Sequence, residues 1–404
     1  LYGVDFEKAN RVLATFDFYC NSAITDFSQI AVDDDIIELV RDFYSQMRTG
    51  WIEMTHSWYL KEFQISLSKG GLKLRQSYGY CLLDEAQDTN PVTLSIFNHL
   101  PGMKIKVGDR HQAIYGFRGA VNALGEAYSK PSKNVTRMSL STTFRCNPLI
   151  VEHANWILGT FKGETMKLVS GNNRPVPEKI GPQAFITRTN SGLIEYVDSL
   201  PDFNLTRTPD LIFECLMSLM NWKYSNYNAV SKPYKFLTKF HSMQQLNEYV
   251  EQTSDQEIQQ GLKLLEKFDG AEVWAKEGLG NGEKIRMLYR KAQDNYSRNG
   301  QSLVTLTTAH SSKGLEFDRC LLSNDFPDLV MVMAKLIKEK IIEEPADFLK
   351  SQKAEVVSAR EEANLYYVAT TRAKYELLDS TANNQLYQLK LPLEQIFYLA
   401  RQSA

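Results

Sequence analysis

Residues 79–122 read GYCLLDEAQDTNPVTLSIFNHLPGMKIKVGDRHQAIYGFRGAVN, and the fold follows from this stretch. Tyr80, Cys81, Leu82 and Leu83 form an apolar run without alternation, the pattern of a strand covered on both faces of a parallel sheet. Asp84 and Glu85 follow at its carboxyl end, where open α/β sheets bind ligands. Asn90 is placed to cap a helix and Pro91 suits its first position. Val92, Ile96, Phe97 and Leu100 then recur on one face until Pro101 and Gly102 stop it. A second strand, Met103 to Val107, ends in Gly108 and Asp109, so two strand tips deliver polar groups to one edge. Adjacent carboxylates after a buried strand suit a Mg²⁺-dependent phosphate site: the first anchors hydrated Mg²⁺ and the second takes a proton from attacking water. An isolated Asp-Glu pair reads as a solvated loop; the surrounding pattern points to chemistry.

LLDEAQD followed by VGDRHQAIYGFRGA resembles motifs II and III of the UvrD/Rep-like superfamily 1A DNA helicases, in particular the helicase region of the F-box type. The resemblance implies an α/β chain of two RecA-like parallel-sheet motor domains with helical inserted subdomains. It assigns Asp84 to Mg²⁺, Glu85 to the attacking water and Gln112 to the γ-phosphate of ATP. Tyr115 and Phe117, spaced by two, fall on one side of an extended segment. By resemblance they are platforms on which unpaired DNA bases stack, with Arg118 reaching a phosphate or bracing the loop.

Four further stretches carry the likeness. SLSTTFRCNPLIV, Ser139 to Val151, resembles motif IV, which implies that Phe144 stacks on adenine and Arg145 meets the γ-phosphate. A strand from Ala184 to Arg188 runs into a TRTN turn with Arg188 and Asn190. SLVTLTTAHSSKGLEFDRCLLSN, Ser302 to Asn324, resembles motif V and implies that Glu316 holds the ribose and that nearby polar groups meet the DNA backbone, His310 being either one of these or structural, while Gly314 lets the backbone approach the nucleotide closely. REEANLYYVATTRAKYELL, Arg360 to Leu378, resembles motif VI. On a helix, Leu365, Val368, Ala369 and Arg372 would share one face. A buried, unpaired guanidinium is costly, and an arriving γ-phosphate would partner it as an arginine finger.

The expected organisation is a helical subdomain over 1–75, the first RecA-like domain over 76–138, and the second over 139–204 and 299–404, with a helical accessory insert at 205–298. Within the first segment, MTHSWYLKEFQ places His56, Trp58 and Tyr59 either against DNA or in helix packing. In the insert, Ile258, Leu262, Leu265 and Phe268 carry helical periodicity.

The first RecA-like domain is expected to lack its N-terminal part. The phosphate-gripping loop G-x-x-x-x-G-K-[ST] should precede motif II, yet no Gly-Lys dipeptide occurs, and SKGG at Ser68–Gly71 lacks the spacing. The simplest reading is a sequence that starts after the first third of the motor, and an inactivated relative is the alternative; lacking that loop, the chain alone is expected to be inactive.

The 404 residues, 43% hydrophobic and 23% charged, suit two or three globular domains. A net charge of −2 supplies no global basic field, but a translocating motor needs only a local groove with aromatic platforms. The five scattered cysteines contain no C-x-x-C and read as reduced thiols of an intracellular protein, in the cytoplasm or nucleoid if bacterial and the nucleus if eukaryotic. The resemblance thus implies a monomeric ATP- and Mg²⁺-dependent helicase that translocates 3′→5′ on single-stranded DNA and meets duplex junctions and repair or recombination proteins. The competing reading is a non-hydrolysing DNA-binding or scaffold protein on a degenerate motor fold. No F-box is visible.

Overall fold

The computed structural model describes residues 6–72, 78–116, 123–124, 135–172, 174–253 and 255–404. It divides into two compact units, Leu1–Ser139 and Leu140–Ala404.

In the first unit, helices Phe6–Asn21, Asp34–Thr49 and His56–Ser68 enclose Val12, Phe16, Tyr19, Val40, Tyr44 and Trp58. Asp34 and Asp35 favour the start of the second helix, and Gly50 ends it in the left-handed region, φ 78°, where its N–H reaches the last carbonyls. Thr55 caps the third helix by accepting the Trp58 N–H at 3.2 Å. Lys61 is fully buried, and its ammonium donates to the carbonyls of Ser22, at 2.9 Å, and Ile24. Those bonds pin the chain that joins the first two helices.

Strand β1, Tyr80–Leu83, pairs in parallel with β2, Met103–Lys106, through the helix Pro91–His99. Asn90 caps that helix by accepting the Thr93 N–H at 2.9 Å, with Pro91 in its first turn. Contrary to the expectation from its apolar run, β1 is not covered on both faces. Leu82 is 69% exposed and Tyr80 63%, beside Met103 at 62% on β2, whereas Cys81 is buried. Among the described residues the sheet has two strands, and the pleat sends alternate side chains outward.

The second unit holds a five-stranded sheet in the order β6-β7-β5-β8-β9, all parallel. The strands are β5 Gln183–Thr187, β6 Asn204–Leu205, β7 Val304–Thr308, β8 Phe317–Leu322 and β9 Ala373–Asp379. A short parallel pair, β3 Thr142–Thr143 and β4 Val169–Ser170, lies apart from it. Helices Pro148–Lys162 and Ala354–Thr370 pack on one another and on β9. The helices between 205 and 298 share a core with the sheet: Leu216, Leu219, Leu265 and Leu288 join Leu193, Leu205 and Leu306 in one cluster.

Because β7, β5 and β8 are parallel, the segment 309–316 must run back from the carboxyl end of β7 to the amino end of β8. It does so in tight turns, with Ser312 N donating to the Thr308 carbonyl and Leu315 N to that of Ser312. Gly314 permits the path at φ 82°. Groups before and after this segment therefore serve opposite edges of the sheet.

Candidate functional site

At the carboxyl edge of the first unit, β1 ends in the exposed Asp84 and Glu85. Glu85 adopts a left-handed backbone, φ 49° and ψ 40°, uncommon outside glycine and asparagine and characteristic of functional turns. Its N–H donates to Asp84 Oδ1 at 3.0 Å. Two residues on, Gln87 is 1% exposed. Its Nε2 donates to the Glu85 carboxylate, and its Oε1 accepts the Asp109 N–H at 3.1 Å. Asp109 in turn accepts the Gln112 side-chain amide at 3.0 Å and the His111 N–H at 2.9 Å. A chain of hydrogen bonds thus runs Glu85–Gln87–Asp109–Gln112 across two strand tips. Gly108 leaves room for it, since a Cβ there would overlap the Gln87 amide.

In the sequence Gln87 is marked only as an uncharged amide between acidic neighbours, and its role emerges from these contacts. The donor set fits Mg²⁺. Asp84 and Glu85 offer exposed carboxylate oxygens, and Mg²⁺ characteristically binds one or two carboxylates and keeps waters or phosphate oxygens for the rest. Tyr115 is half-buried, whereas Phe117 and Arg118 lie outside the described residues.

At the amino edge of the second unit, Thr142, Phe144, Arg145, Arg174, Glu316 and Lys374 line an open cleft of about 550 Å³. The Phe144 ring is 77% exposed. It rests on Gly171, where a Cβ would come within 2.6 Å of the ring. Arg145 is set by Asn172, whose buried amide donates to the Arg145 carbonyl at 2.8 Å. Arg145 Nε donates to one Glu316 oxygen at 3.2 Å, and Lys374 Nζ meets the other at 2.8 Å. The Lys374 hydrogen bond, then that from Arg145, holds the Glu316 carboxyl below its usual range. Lys374 escaped the sequence reading because only the pairing of β8 with β9 brings it to Glu316.

Arg372 departs from its expected place. The motif VI helix ends at Thr370, so Arg372 sits beyond its carboxyl terminus and does not extend the apolar stripe. Nor is the guanidinium unpartnered: it is 1% exposed and donates to the Val368 carbonyl at 2.8 Å, Thr371 Oγ1 at 3.0 Å and the Leu315 carbonyl at 3.4 Å. Carbonyls at a helix end attract cations, which accounts for the arrangement. Burial, followed by the nearby Arg145 charge, pushes its pKa down to about 10.

The opposite, carboxyl edge carries Arg188 and His310. Arg188 holds Glu362 with two hydrogen bonds, at 2.9 and 2.7 Å, while its N–H and that of Thr189 donate to Asp325. Asn190 accepts from Arg207 at 3.1 Å. His310, half-buried, lies near the start of the segment that ends at Glu316. In the first unit Trp58 is buried with its indole N–H on the Tyr44 carbonyl at 3.2 Å, while His56 and Tyr59 face outward in contact with each other.

Comparison with known proteins gives the family. Residues 35–132 match the UvrD/REP helicase N-terminal domain and residues 212–384 the UvrD-like helicase C-terminal domain. The chain belongs to the UvrD-like helicases. Its parallel sheets and packed helices accord with two RecA-like domains. It is 27% identical over 339 residues to F-box DNA helicase protein 1 of Schizosaccharomyces pombe, covering 78% of this chain and 35% of that protein. It is 28% identical to F-box DNA helicase 1 of Gallus gallus, covering 83% and 32%. A probable DNA helicase II homolog of Mycoplasma capricolum is 31% identical over 31% of this chain and 18% of its own length. This UvrD-like chain spans about a third of the length of the two F-box relatives. No described helix is long and apolar enough to cross a membrane.

Proposed function

We propose that this protein is an ATP-driven DNA helicase that uses Mg²⁺, moves 3′→5′ along single-stranded DNA and acts in repair or recombination. The observation that carries the reading is the hydrogen-bond chain from Glu85 through Gln87 and Asp109 to Gln112. It ties a carboxylate suited to accept a proton to an amide suited to sense a phosphate. Preorganised contacts of this kind are what phosphoryl transfer asks of a protein.

In this reading Asp84 holds Mg²⁺, which when bound neutralises phosphate charge, and Glu85 takes the proton of the attacking water. Gln112, Arg145 and Arg372 respond to the γ-phosphate, Phe144 stacks on adenine, and Glu316 accepts from the ribose with Gly314 shaping its turn. Tyr115, Phe117, Arg118 and His310 face DNA. The burial of Arg372 against its own unit's carbonyls favours a second reading, a non-hydrolysing DNA-binding scaffold.

Strand separation tests the proposal, using duplexes that carry either a 3′ or a 5′ single-stranded tail, with ATP and Mg²⁺. Opening of the 3′-tailed duplex alone is expected. Tight binding of both substrates with opening of neither would select the scaffold, and opening of the 5′-tailed duplex would reverse the direction.

A further inference from the structure

The Glu316 carboxylate is divided between two cations, Oε1 to Lys374 and Oε2 to Arg145, and the Lys374 contact is the shorter, 2.8 against 3.2 Å. Glu316 itself stands on an exposed turn. Hydrogen bonds at Ser312 and Leu315 hold the backbone of that turn, but the Glu316 side chain is itself 47% exposed. Lys374, by contrast, belongs to β9, and its carbonyl accepts the Asn147 N–H at 2.9 Å. Orientation of the carboxylate therefore comes from the cations, and Lys374 is the one anchored in the sheet.

Arg145 and Glu316 carry separate duties in the nucleotide reading of this cleft, and the present contact makes them neutralise each other. A bound polyphosphate, more highly charged than one carboxylate, competes for the Arg145 guanidinium. The cleft favours such an anion, since Arg145, Arg174 and Lys374 face a lone Glu316 among its charged lining residues. When Arg145 turns to phosphate, Oε2 of Glu316 loses its partner while Oε1 keeps Lys374.

We infer that Lys374 is a positioning residue, which holds Glu316 ready for the sugar hydroxyls of a ribonucleotide after phosphate has drawn Arg145 away. The inference rests on the nucleotide reading of the cleft and adds to it a determinant of sugar specificity.

Equilibrium binding of ATP and of 2′,3′-dideoxy-ATP tests it, measured on the wild type, Lys374→Gln, Lys374→Arg, Glu316→Gln and the Lys374→Gln/Glu316→Gln pair. The wild type is expected to prefer ATP by about tenfold, the scale of a hydrogen bond to a charged group. Lys374→Gln should bring the ratio close to one, Lys374→Arg should restore it, and the double variant should match Glu316→Gln. Equal weakening of both nucleotides by Lys374→Gln would make Lys374 a phosphate contact and overturn the inference, as would an unchanged ratio. A wild type that binds ATP without preferring it also overturns the inference while leaving the nucleotide reading intact. A wild type that binds neither nucleotide ends the nucleotide reading, and the inference with it.

Discussion

The Asp109 N–H donates to the side-chain oxygen of Gln87 at 3.1 Å, so one buried amide holds the tips of β1 and β2 together. The other end of that amide meets Glu85, whose left-handed backbone it helps to fix. Gln87→Ala removes both bonds and leaves the Asp109 N–H short of its acceptor. A loss of about 1–3 kcal/mol in unfolding free energy is expected, with hydrolysis reduced about 10²-fold through misplacement of Glu85. Denaturant titration and steady-state turnover check the two effects. Wild-type values in both would show that the amide tie is incidental.

Phe144 stands 77% exposed on Gly171. Phe144→Ala should leave stability within about 0.5 kcal/mol and weaken nucleotide binding about tenfold, the scale of base–aromatic stacking. Gly171→Ala should mimic it by displacing the ring, since the added Cβ would lie 2.6 Å from the ring. Calorimetric titration of ADP into both variants makes the comparison. Undiminished affinity in both would remove Phe144 from the site.

Arg372 supports the end of the motif VI helix before any ligand arrives. Arg372→Ala should lower the denaturation midpoint by an amount equal to about 1–3 kcal/mol, because the buried acceptors Val368 O and Thr371 Oγ1 lose their donor. Turnover should fall much further, about 10³-fold, if it also meets phosphate in the manner of an arginine finger. A midpoint equal to that of the wild type would contradict the structural role. Unimpaired turnover would contradict the catalytic one.

Burial pushes the Lys61 ammonium down to about 8 from its ordinary 10.5. Folding therefore disfavours the protonated form. The penalty is full below about pH 8 and fades toward pH 10.5, as the unfolded chain also loses its proton. The first unit should gain stability between about pH 8 and 10, and Lys61→Met should flatten that slope. Denaturant titrations across that pH range measure it, and parallel pH profiles for the two proteins would refute the linkage.

Local signals were legible in the sequence because few neighbours set them. Asn90 and Pro91 start their helix as expected, and Asp84, Glu85 and Gln112 reach one edge through a strand, turn and strand read from residues 79–122. Signals that depend on distant partners were hidden. The apolar run at β1 does not reveal how many strands flank it, so the exposure of Leu82 was unforeseen. Helical periodicity continues on paper past Thr370, with no glycine or proline to mark the stop, and this misplaced Arg372. Lys374 lies in a β-register, and its meeting with Glu316 follows from a ladder formed across 57 residues between Arg319 and Glu376, as their own hydrogen bond records.

The nucleotide chemistry proposed for this protein turns on hydrolysis at Glu85. Its most direct test is ATP turnover by the protein with and without single-stranded DNA, beside Glu85→Gln, which keeps the side chain's shape and removes its basicity. Turnover that rises with DNA and falls by about 10²–10⁴-fold in the variant is the predicted result. Turnover of equal rate in both proteins, or none in either while DNA remains bound, would contradict the account.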